Sequence, residues 1–277
     1  MKRLVALYRS PTYSPQQHLR NDTAILDETV EDLARRGWSV SKTSEAEVAM
    51  GRLPPADLFV NMCQGPAASE RLLRLVPLEA LAVNPPASVL NCHRHRLVER
   101  MADAGLPFPR TLILPTNEPQ AAALIVHLLN GDGRPVWVKR GDVHAETRAD
   151  VVSATEATVP ATIADFARRG VARVALQSHV AGPILKFYAL ADGSFFHWYA
   201  ADGAQAVVNE ERLRAIVFAA ARALALEVFG GDVAVPHPDA PVLIDINDWP
   251  SFAPVRSQAA AAIAAYIDHK ASNGRSA

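Results

Sequence analysis

The sequence predicts a small parallel α/β lobe followed by two lobes of the α+β kind. Short apolar strands and amphipathic helices alternate over the first hundred residues, which is typical of a parallel sheet with helices on its faces. The segment 104–110, Ala-Gly-Leu-Pro-Phe-Pro-Arg, ends a helix and indicates a domain boundary. Beyond it, hairpins replace the alternating pattern. We therefore divide the chain into residues 1–106, 107–182 and 183–277.

The elements of the first lobe follow from hydrophobic periodicity. Leu26, Val30 and Leu33 recur at helical spacing within an amphipathic helix over 19–36, which Gly37 ends. No GxGxxG motif follows the first strand, which argues against a dinucleotide-binding domain. The predicted strands cover 3–8, 38–42 and 57–62, and the other predicted helices cover 44–50 and 67–81.

The later segments predict two mixed lobes. In the middle region we expect helices over 119–130 and 160–169 and strands that include 136–139 and 174–180. Strands over 184–190 and 194–199 form a hairpin around Asp192-Gly193, a strong turn dipeptide. A helix over 208–226 buries a stripe formed by Leu213, Ile216, Val217, Ala220 and Leu224, and an alanine-rich helix covers 254–269.

Composition and charge narrow the classes of function. The chain has 277 residues, 28 basic and 29 acidic side chains and a formal net charge of -1, so no global field attracts nucleic acid or an anionic membrane. The apolar run before Arg9 is too short for a signal peptide, and no window approaches a membrane span. Cys63 and Cys92 lack metal-finger spacing. We expect a cytoplasmic protein without nucleic-acid or membrane partners.

Two late strands carry acidic and amide groups that predict a metal site. They cover Gly230–Val235 and Val242–Asp248, and their pairing brings Asp232 beside Asp245 and Asn247. Strand alternation places Asp245 and Asn247 on one face and Ile246 on the other. Hard oxygen ligands of this kind suit magnesium bound to a nucleotide. The alternative is a plain hairpin with one hydrogen-bonded buried aspartate.

Six short segments occur in an order and at a spacing that resemble the ATP-grasp superfamily, and the resemblance covers roughly residues 1–270. They are Asn-Cys-x-x-x-Arg at 91–96 before Ala-Gly-x-Pro-x-Pro, Val-Trp-Val-Lys at 136–139, Leu-Gln-Ser-His-Val at 176–180, Leu-Lys-Phe-Tyr at 185–188, Phe-Gly-Gly-Asp-Val at 229–233 and Ile-Asp-Ile-Asn-Asp-Trp-Pro at 244–250. The resemblance implies an ATP-grasp fold, in which ATP lies between two α+β lobes.

The resemblance also implies roles for individual residues. Lys139 and Arg96 would contact the nucleotide phosphates, and Gln177, Ser178 and Val180 would form the hinge strand that reads adenine. One or two magnesium ions would be held by Asp232, Asp245 and Asn247. Lys186 would bind the transferred phosphoryl group or an anionic substrate. The flap after Lys139 is short and poor in glycine, so we expect His144 or Arg140 to take part in covering the phosphates.

Two reactions fit such a site. In a ligase, ATP would phosphorylate a substrate carboxylate and an amine would attack the acylphosphate, with Arg256 or Ser251 holding the carboxylate. In a small-molecule kinase, a polyol hydroxyl would attack the γ-phosphate, and the Asp-Ile-Asn motif resembles the inositol polyphosphate kinase branch. The net charge of -1 favours the ligase, because a polyanionic substrate calls for a dense basic pocket. A non-catalytic ATP-binding module is the third alternative, and oligomerisation is left open.

Overall fold

The computed structural model describes residues 2–14, 19–129, 133–143, 147–203 and 205–273. Within these ranges the chain forms three four-stranded sheets, one parallel and two antiparallel. Each sheet lies inside one of the three predicted segments. The division at residues 106 and 182 stays a prediction, because helices pack across it.

The first sheet is the predicted parallel α/β lobe. Its strands run in the order β2-β1-β3-β4. The apolar run 4–7 of its first strand is at most 1% exposed, because helices cover both faces of the sheet. The strands are β1 (Arg3–Tyr8), β2 (Ser39–Ser44), β3 (Leu58–Asn61) and β4 (Leu81–Val83), and the helices are α1 (Leu19–Arg35), α2 (Glu45–Ala49) and α3 (Pro66–Leu75).

Helix α3 is shorter than the periodicity over 67–81 predicts. Its last residue is Leu75, and Val76 is already extended. Pro77 explains the difference, since a proline disfavours helical backbone at the residue before it and cannot donate a helical hydrogen bond. Leu81, predicted as helical, instead begins β4.

Two helices connect the first lobe to the others. They are α4 (Pro86–Cys92) and α5 (Arg94–Asp103), and His93 separates them with an extended backbone. Leu97 and Met101 of α5 are buried in the core of the third sheet. The predicted stop is confirmed: Gly105 adopts φ +61°, a left-handed conformation that favours glycine.

The second sheet has the order β5-β8-β6-β7, and all its paired strands are antiparallel. Val126, Ile163 and Phe166 fill its core from the two helices. The strands are β5 (Thr111–Pro115), β6 (Val136–Arg140), β7 (Val151–Ala154) and β8 (Arg173–Gln177), and the helices are α6 (Pro119–Leu129) and α7 (Val159–Arg168). Sequence periodicity did not identify β7, a four-residue edge strand too short to show alternation.

The third sheet carries the predicted metal hairpin, in the order β10-β9-β11-β12. The Asp192-Gly193 turn is confirmed, with Gly193 at φ +76°, and the predicted stripe on the long helix is buried. The strands are β9 (Ile184–Leu190), β10 (Phe196–Ala200), β11 (Val228–Ala234) and β12 (Val242–Asp248), and the helices are α8 (Glu210–Leu224) and α9 (Arg256–Asn273).

The last helix returns to the first lobe. Ile263 and Ile267 of α9 pack with Ile25 and Leu33 of α1 in one buried cluster. The alanine-rich sequence of α9 permits this close packing, since small side chains let two helices approach. No helix in the described ranges is long and apolar enough to cross a membrane.

Candidate functional site

The paired strands β11 and β12 bring two aspartates together. Asp232 lies directly opposite Asp245 in the register, and the register shifts at the next residue, Val233. Ile246 is fully buried on the other face. The predicted strand pairing and alternation are therefore confirmed, and Asp245 and Asn247 lie on the face that carries polar groups.

Two cations neutralise these carboxylates. Lys186 Nζ, from β9, donates to Asp232 Oδ1 over 2.7 Å. Arg94 Nη2, from the first turn of α5, donates to Asp245 Oδ2 over 3.0 Å. Burial alone lowers the pKa of Lys186, but the carboxylate of Asp232 outweighs it and raises that pKa above its ordinary value. Lys186 is therefore positively charged at neutral pH.

A third cation, Lys139, is the penultimate residue of β6 and is almost completely buried. Its side chain is 6% exposed, and Nζ lies 3.4 Å from the carbonyl oxygen of Ile244. Burial lowers its pKa to about 8, and Arg94 adds to the effect while Asp245 opposes it. A buried ammonium with few protein acceptors is poised to bind an anion that enters the site.

A cavity of about 300 Å³, here the Lys139 cavity, lies between the second and third sheets. The predicted adenine-reading residues all line it, and Trp137 Nε1 donates to His179 Nδ1 over 3.2 Å at its wall. It is lined by Trp137, Lys139, Val151, Gln177, Ser178, His179, Val180, Gly182, Ile184, Asp232, Ile244 and Asp245.

A second cavity of about 450 Å³, here the Tyr188 cavity, lies between the first lobe and the third sheet. Its walls combine tyrosines and neutral polar groups with four aspartates and two cations, Arg9 and Lys186. Tyr188 Oη and Tyr199 Oη are 3.1 Å apart. Its principal lining residues are Arg9, Tyr13, Asn21, Asp22, Gln64, Lys186, Tyr188, Tyr199, Asp232, Asp245, Asn247, Asp248, Pro250 and Ser251.

Asp232 and Asp245 line both cavities. Lys139 reaches them from one side and Lys186 from the other. A ligand that fills both cavities would thus pass the two carboxylates at its centre, with one lysine on each side.

The site contains most of the residues predicted from the sequence, but Arg96 is not among them. Its side chain is exposed on α5 and lines neither cavity, whereas Arg94 is 4% exposed and donates to Asp245 and to the carbonyl of Arg140. His93 interrupts the helix between α4 and α5, which places Arg94 in the first turn facing the site. The sequence shows the basic run 93–100, but it does not show which side chain of that run faces the site.

Two further predicted residues lie apart from the cavities or cannot be placed. Arg256 lies behind the wall of the Tyr188 cavity, where its Nη2 donates to Asn21 Oδ1. Arg256 would therefore act on a ligand through Asn21. His144 lies outside the described residues.

Glu45 is a functional candidate that sequence reasoning missed. Its carboxylate is 2% exposed and accepts the backbone N–H groups of Ser10, Gln64 and Gly65. Burial raises its pKa, and the three hydrogen bonds oppose that rise. Glu45 thereby ties together two loops at the carboxyl edge of the first sheet, beside the Tyr188 cavity.

The donor set suits magnesium, although its assignment stays a prediction. Two carboxylates and one amide on adjacent strands offer hard oxygen atoms, which magnesium prefers, and water and phosphate usually complete its shell. Only one oxygen of Asp232 bonds Lys186, so a metal would share the carboxylate with that lysine. Among the described residues no group of three histidine, cysteine, aspartate or glutamate side chains is placed to hold a metal ion, and the candidate set consists of two carboxylates and the amide of Asn247.

Comparison with solved structures yields full-length matches at low identity. A RimK domain ATP-grasp protein from Sphaerobacter thermophilus is 18% identical with a TM-score of 0.69, covering 95% of this chain and 99% of that one. D-alanyl-alanine synthetase A from Vibrio cholerae is 11% identical with a TM-score of 0.74, covering 99% and 98%.

A D-alanine–D-alanine ligase from Bacillus anthracis, solved with ATP, is 11% identical with a TM-score of 0.73 and covers 100% of this chain and 99% of that one. No family model matches the chain. No curated protein matches it either.

Proposed function

We propose that this chain, which has the ATP-grasp fold, is a magnesium- and ATP-dependent ligase that joins a small carboxylate to an amine. The observation that carries the proposal is the meeting of two cavities at Asp232 and Asp245. A ligase of this kind needs one compartment for the nucleotide and one for the acceptor, with the γ-phosphate between them. The similar solved structures include D-alanine–D-alanine ligases, which supports the same class.

The Lys139 cavity would bind ATP. Its apolar side chains, among them Trp137, Ile184 and Ile244, suit the faces of adenine, and the backbone of 177–180 suits its hydrogen-bonding edge. The phosphates would then extend past Lys139 toward Arg94 and the two aspartates. Lys139 has a lowered pKa that a phosphate would raise again, so nucleotide binding would keep it protonated.

Asp232, Asp245 and Asn247 would hold magnesium beside the phosphates. The ion would supply positive charge that offsets the charge on the phosphate oxygens during transfer. The residues of the chain would do the rest: Arg94 keeps Asp245 oriented, and Lys186 keeps Asp232 oriented and faces the acceptor side.

The Tyr188 cavity would bind the carboxylate and the amine. A carboxylate oxygen attacks the γ-phosphorus and ADP leaves, and Lys186 offsets the charge of the transferred group. The amine nitrogen then attacks the acyl carbon and inorganic phosphate leaves. No side chain need form a covalent bond in this sequence of steps.

The charge of the Tyr188 cavity favours this reaction over phosphorylation of a polyanionic alcohol. Arg9 and Lys186 are the two cations among its described lining residues, and each is paired with an aspartate. A substrate with one carboxylate suits such a cavity, and that carboxylate is the group that becomes phosphorylated. A phosphorylated polyol would require unpaired cations.

The test is ATP consumption by the purified protein with magnesium and a panel of carboxylates, with hydroxylamine as a trap. A ligase converts the acylphosphate to a hydroxamate and releases ADP and free phosphate only when a carboxylate is present. Asp232→Asn serves as the matched inactive control. Phosphate transferred to a polyol without free phosphate would establish a kinase instead, and nucleotide binding without turnover would favour the ATP-binding module.

A further inference from the structure

The loop 249–252, which follows β12, has an unusual backbone. Trp249 adopts φ +38° and Phe252 adopts φ +49°, and both side chains are fully buried. Left-handed backbone is costly for bulky residues and persists only where the surroundings impose it, most often at functional sites. Between these two residues, Pro250 and Ser251 line the Tyr188 cavity. The loop is therefore held in place by contacts outside it.

Two polar contacts hold Trp249 at the start of the loop: its N–H donates to the carbonyl oxygen of Val228, and its carbonyl oxygen accepts from Arg9, just after β1. Arg9 Nη2 donates to the carbonyl oxygen of Trp249 over 3.1 Å, although 240 positions separate the two residues. Nη1 pairs with Asp22 Oδ2 over 3.1 Å, and Nε donates to the carbonyl oxygen of Met62 over 3.4 Å. The side chains of Arg9 and Asp22 are each 7% exposed. The rigid guanidinium thus joins two segments of the first lobe to the loop.

These contacts decide how Arg9 can act. All three of its nitrogens already bond protein acceptors, and Asp22 neutralises its charge. Binding a substrate carboxylate directly would require at least one of these buried bonds to break, which is costly. Arg9 is therefore better suited to fixing the position of the loop than to holding a ligand.

The loop in turn shapes the wall of the Tyr188 cavity. Ser251 and Tyr188 both lie in this wall, and the hydroxyl of Tyr188 lies 3.1 Å from that of Tyr199. The ring of Tyr188 also packs against the ring of Phe252, with centroids 4.9 Å apart and the planes tilted by 35°. Displacement of the loop would move Pro250 and Ser251 and release Tyr188 together.

We infer that Arg9 is a positioning residue that sets the affinity for the acceptor substrate by fixing the loop 249–252. The inference rests on the proposed function, because an affinity for the acceptor can be measured only if the chain has that activity. Its effect falls on the Tyr188 cavity and leaves the Lys139 cavity unchanged, because Arg9 and the loop line only the former.

The test compares Arg9→Lys with Lys270→Met. Lysine keeps the charge opposite Asp22, but one ammonium on a flexible stem cannot reproduce the three-way contact. We expect the KM for the acceptor to rise about 10- to 100-fold, the effect of losing one charge-assisted hydrogen bond, with the KM for ATP unchanged. Lys270→Met removes a different contact between lobes, that of Lys270 with Glu227, and controls for general loosening.

Hydrogen exchange of residues 249–255 gives a readout that does not depend on turnover. Arg9→Lys should accelerate exchange in this segment, whereas Lys270→Met should not. If Arg9→Lys fails to fold, Pro250→Gly replaces it, since glycine loosens the loop without touching Arg9 and should reproduce the rise in acceptor KM.

An unchanged acceptor KM in an active enzyme, or an equal rise in both KM values, would overturn the inference while leaving the ligase intact. If the wild-type protein turns over no substrate, the proposed function fails and hydrogen exchange decides alone. Unchanged exchange at 249–255 in Arg9→Lys would then refute the positioning role.

Discussion

The guanidinium of Arg94 lies 3.0 Å from the carboxylate of Asp245, although 151 positions separate the two residues. The same guanidinium donates to the carbonyl oxygen of Arg140 over 2.9 Å, directly after Lys139. One side chain from the connecting helix therefore joins the end of β6 to the middle of β12. The distance between Lys139, the proposed phosphate ligand, and the candidate metal ligands depends on this contact.

Replacing Arg94 with methionine should impair both stability and nucleotide binding. The change leaves a partly buried carboxylate without its cation, so we expect the free energy of unfolding to fall by about 2 kcal/mol. The KM for ATP should rise as well, because the second and third sheets lose their shared contact. Denaturant unfolding and steady-state kinetics measure the two effects.

Arg96→Met is the matched comparison, since Arg96 lies two positions away on the same helix with an exposed side chain. A surface substitution of this kind should change the free energy of unfolding by less than about 0.5 kcal/mol. If Arg96→Met instead weakened ATP binding more than Arg94→Met, the original assignment of Arg96 to the phosphates would stand.

Replacing Lys139 with methionine should separate stability from function. Burial lowers the pKa of Lys139 to about 8, which shows that the fold disfavours its charge. The neutral and similarly shaped methionine should therefore leave the melting temperature unchanged or raise it. ATP affinity should fall about 10- to 100-fold with the lost charge-assisted hydrogen bond.

Calorimetric titration with ATP and thermal unfolding of the same samples provide the measurement. Lys42→Met is the control, because Lys42 pairs with Asp27 at an exposed position and lines neither cavity. Equal ATP affinity in Lys139→Met and the wild type would exclude Lys139 as a phosphate ligand.

The fold class and the core of the site were predictable because both rest on local patterns. Alternation along β12 was sufficient to place Asp245 and Asn247 on one face of the strand and Ile246 on the other. The turn at Gly193 was sufficient to predict the hairpin that β9 and β10 form. Arg94 was missed because its orientation depends on the break at His93, which no periodic pattern reports. The contact of Arg9 with Trp249 joins residues 240 positions apart and follows only from the packing of lobes.

Asp245→Asn should raise the magnesium concentration needed for half-maximal activity and sharply reduce turnover. The substitution removes one charge from the candidate metal ligands and keeps the size of the side chain, so the fold should persist. Asp239→Asn, in the exposed turn between β11 and β12, removes the same charge outside the cavities and is the control. Magnesium dependence of ATP consumption measures both variants, and an Asp245→Asn enzyme with wild-type dependence would sink the metal assignment.

His95 should make the protein less stable in acid. Its Nδ1 donates to the carbonyl of Gly141, at the base of the segment that follows Lys139, and burial lowers its pKa below the ordinary 6.5. Since the folded state disfavours the charged ring, the unfolded state binds more protons, and stability is lost as pH falls through 6.5.

His95→Gln should reduce this loss of stability below pH 6.5. His127→Gln, exposed on α6, should leave it unchanged and is the control. Denaturant midpoints measured from above to below pH 6.5 test this prediction. Parallel curves of midpoint against pH for the wild type and His95→Gln would show that protonation of His95 does not affect stability.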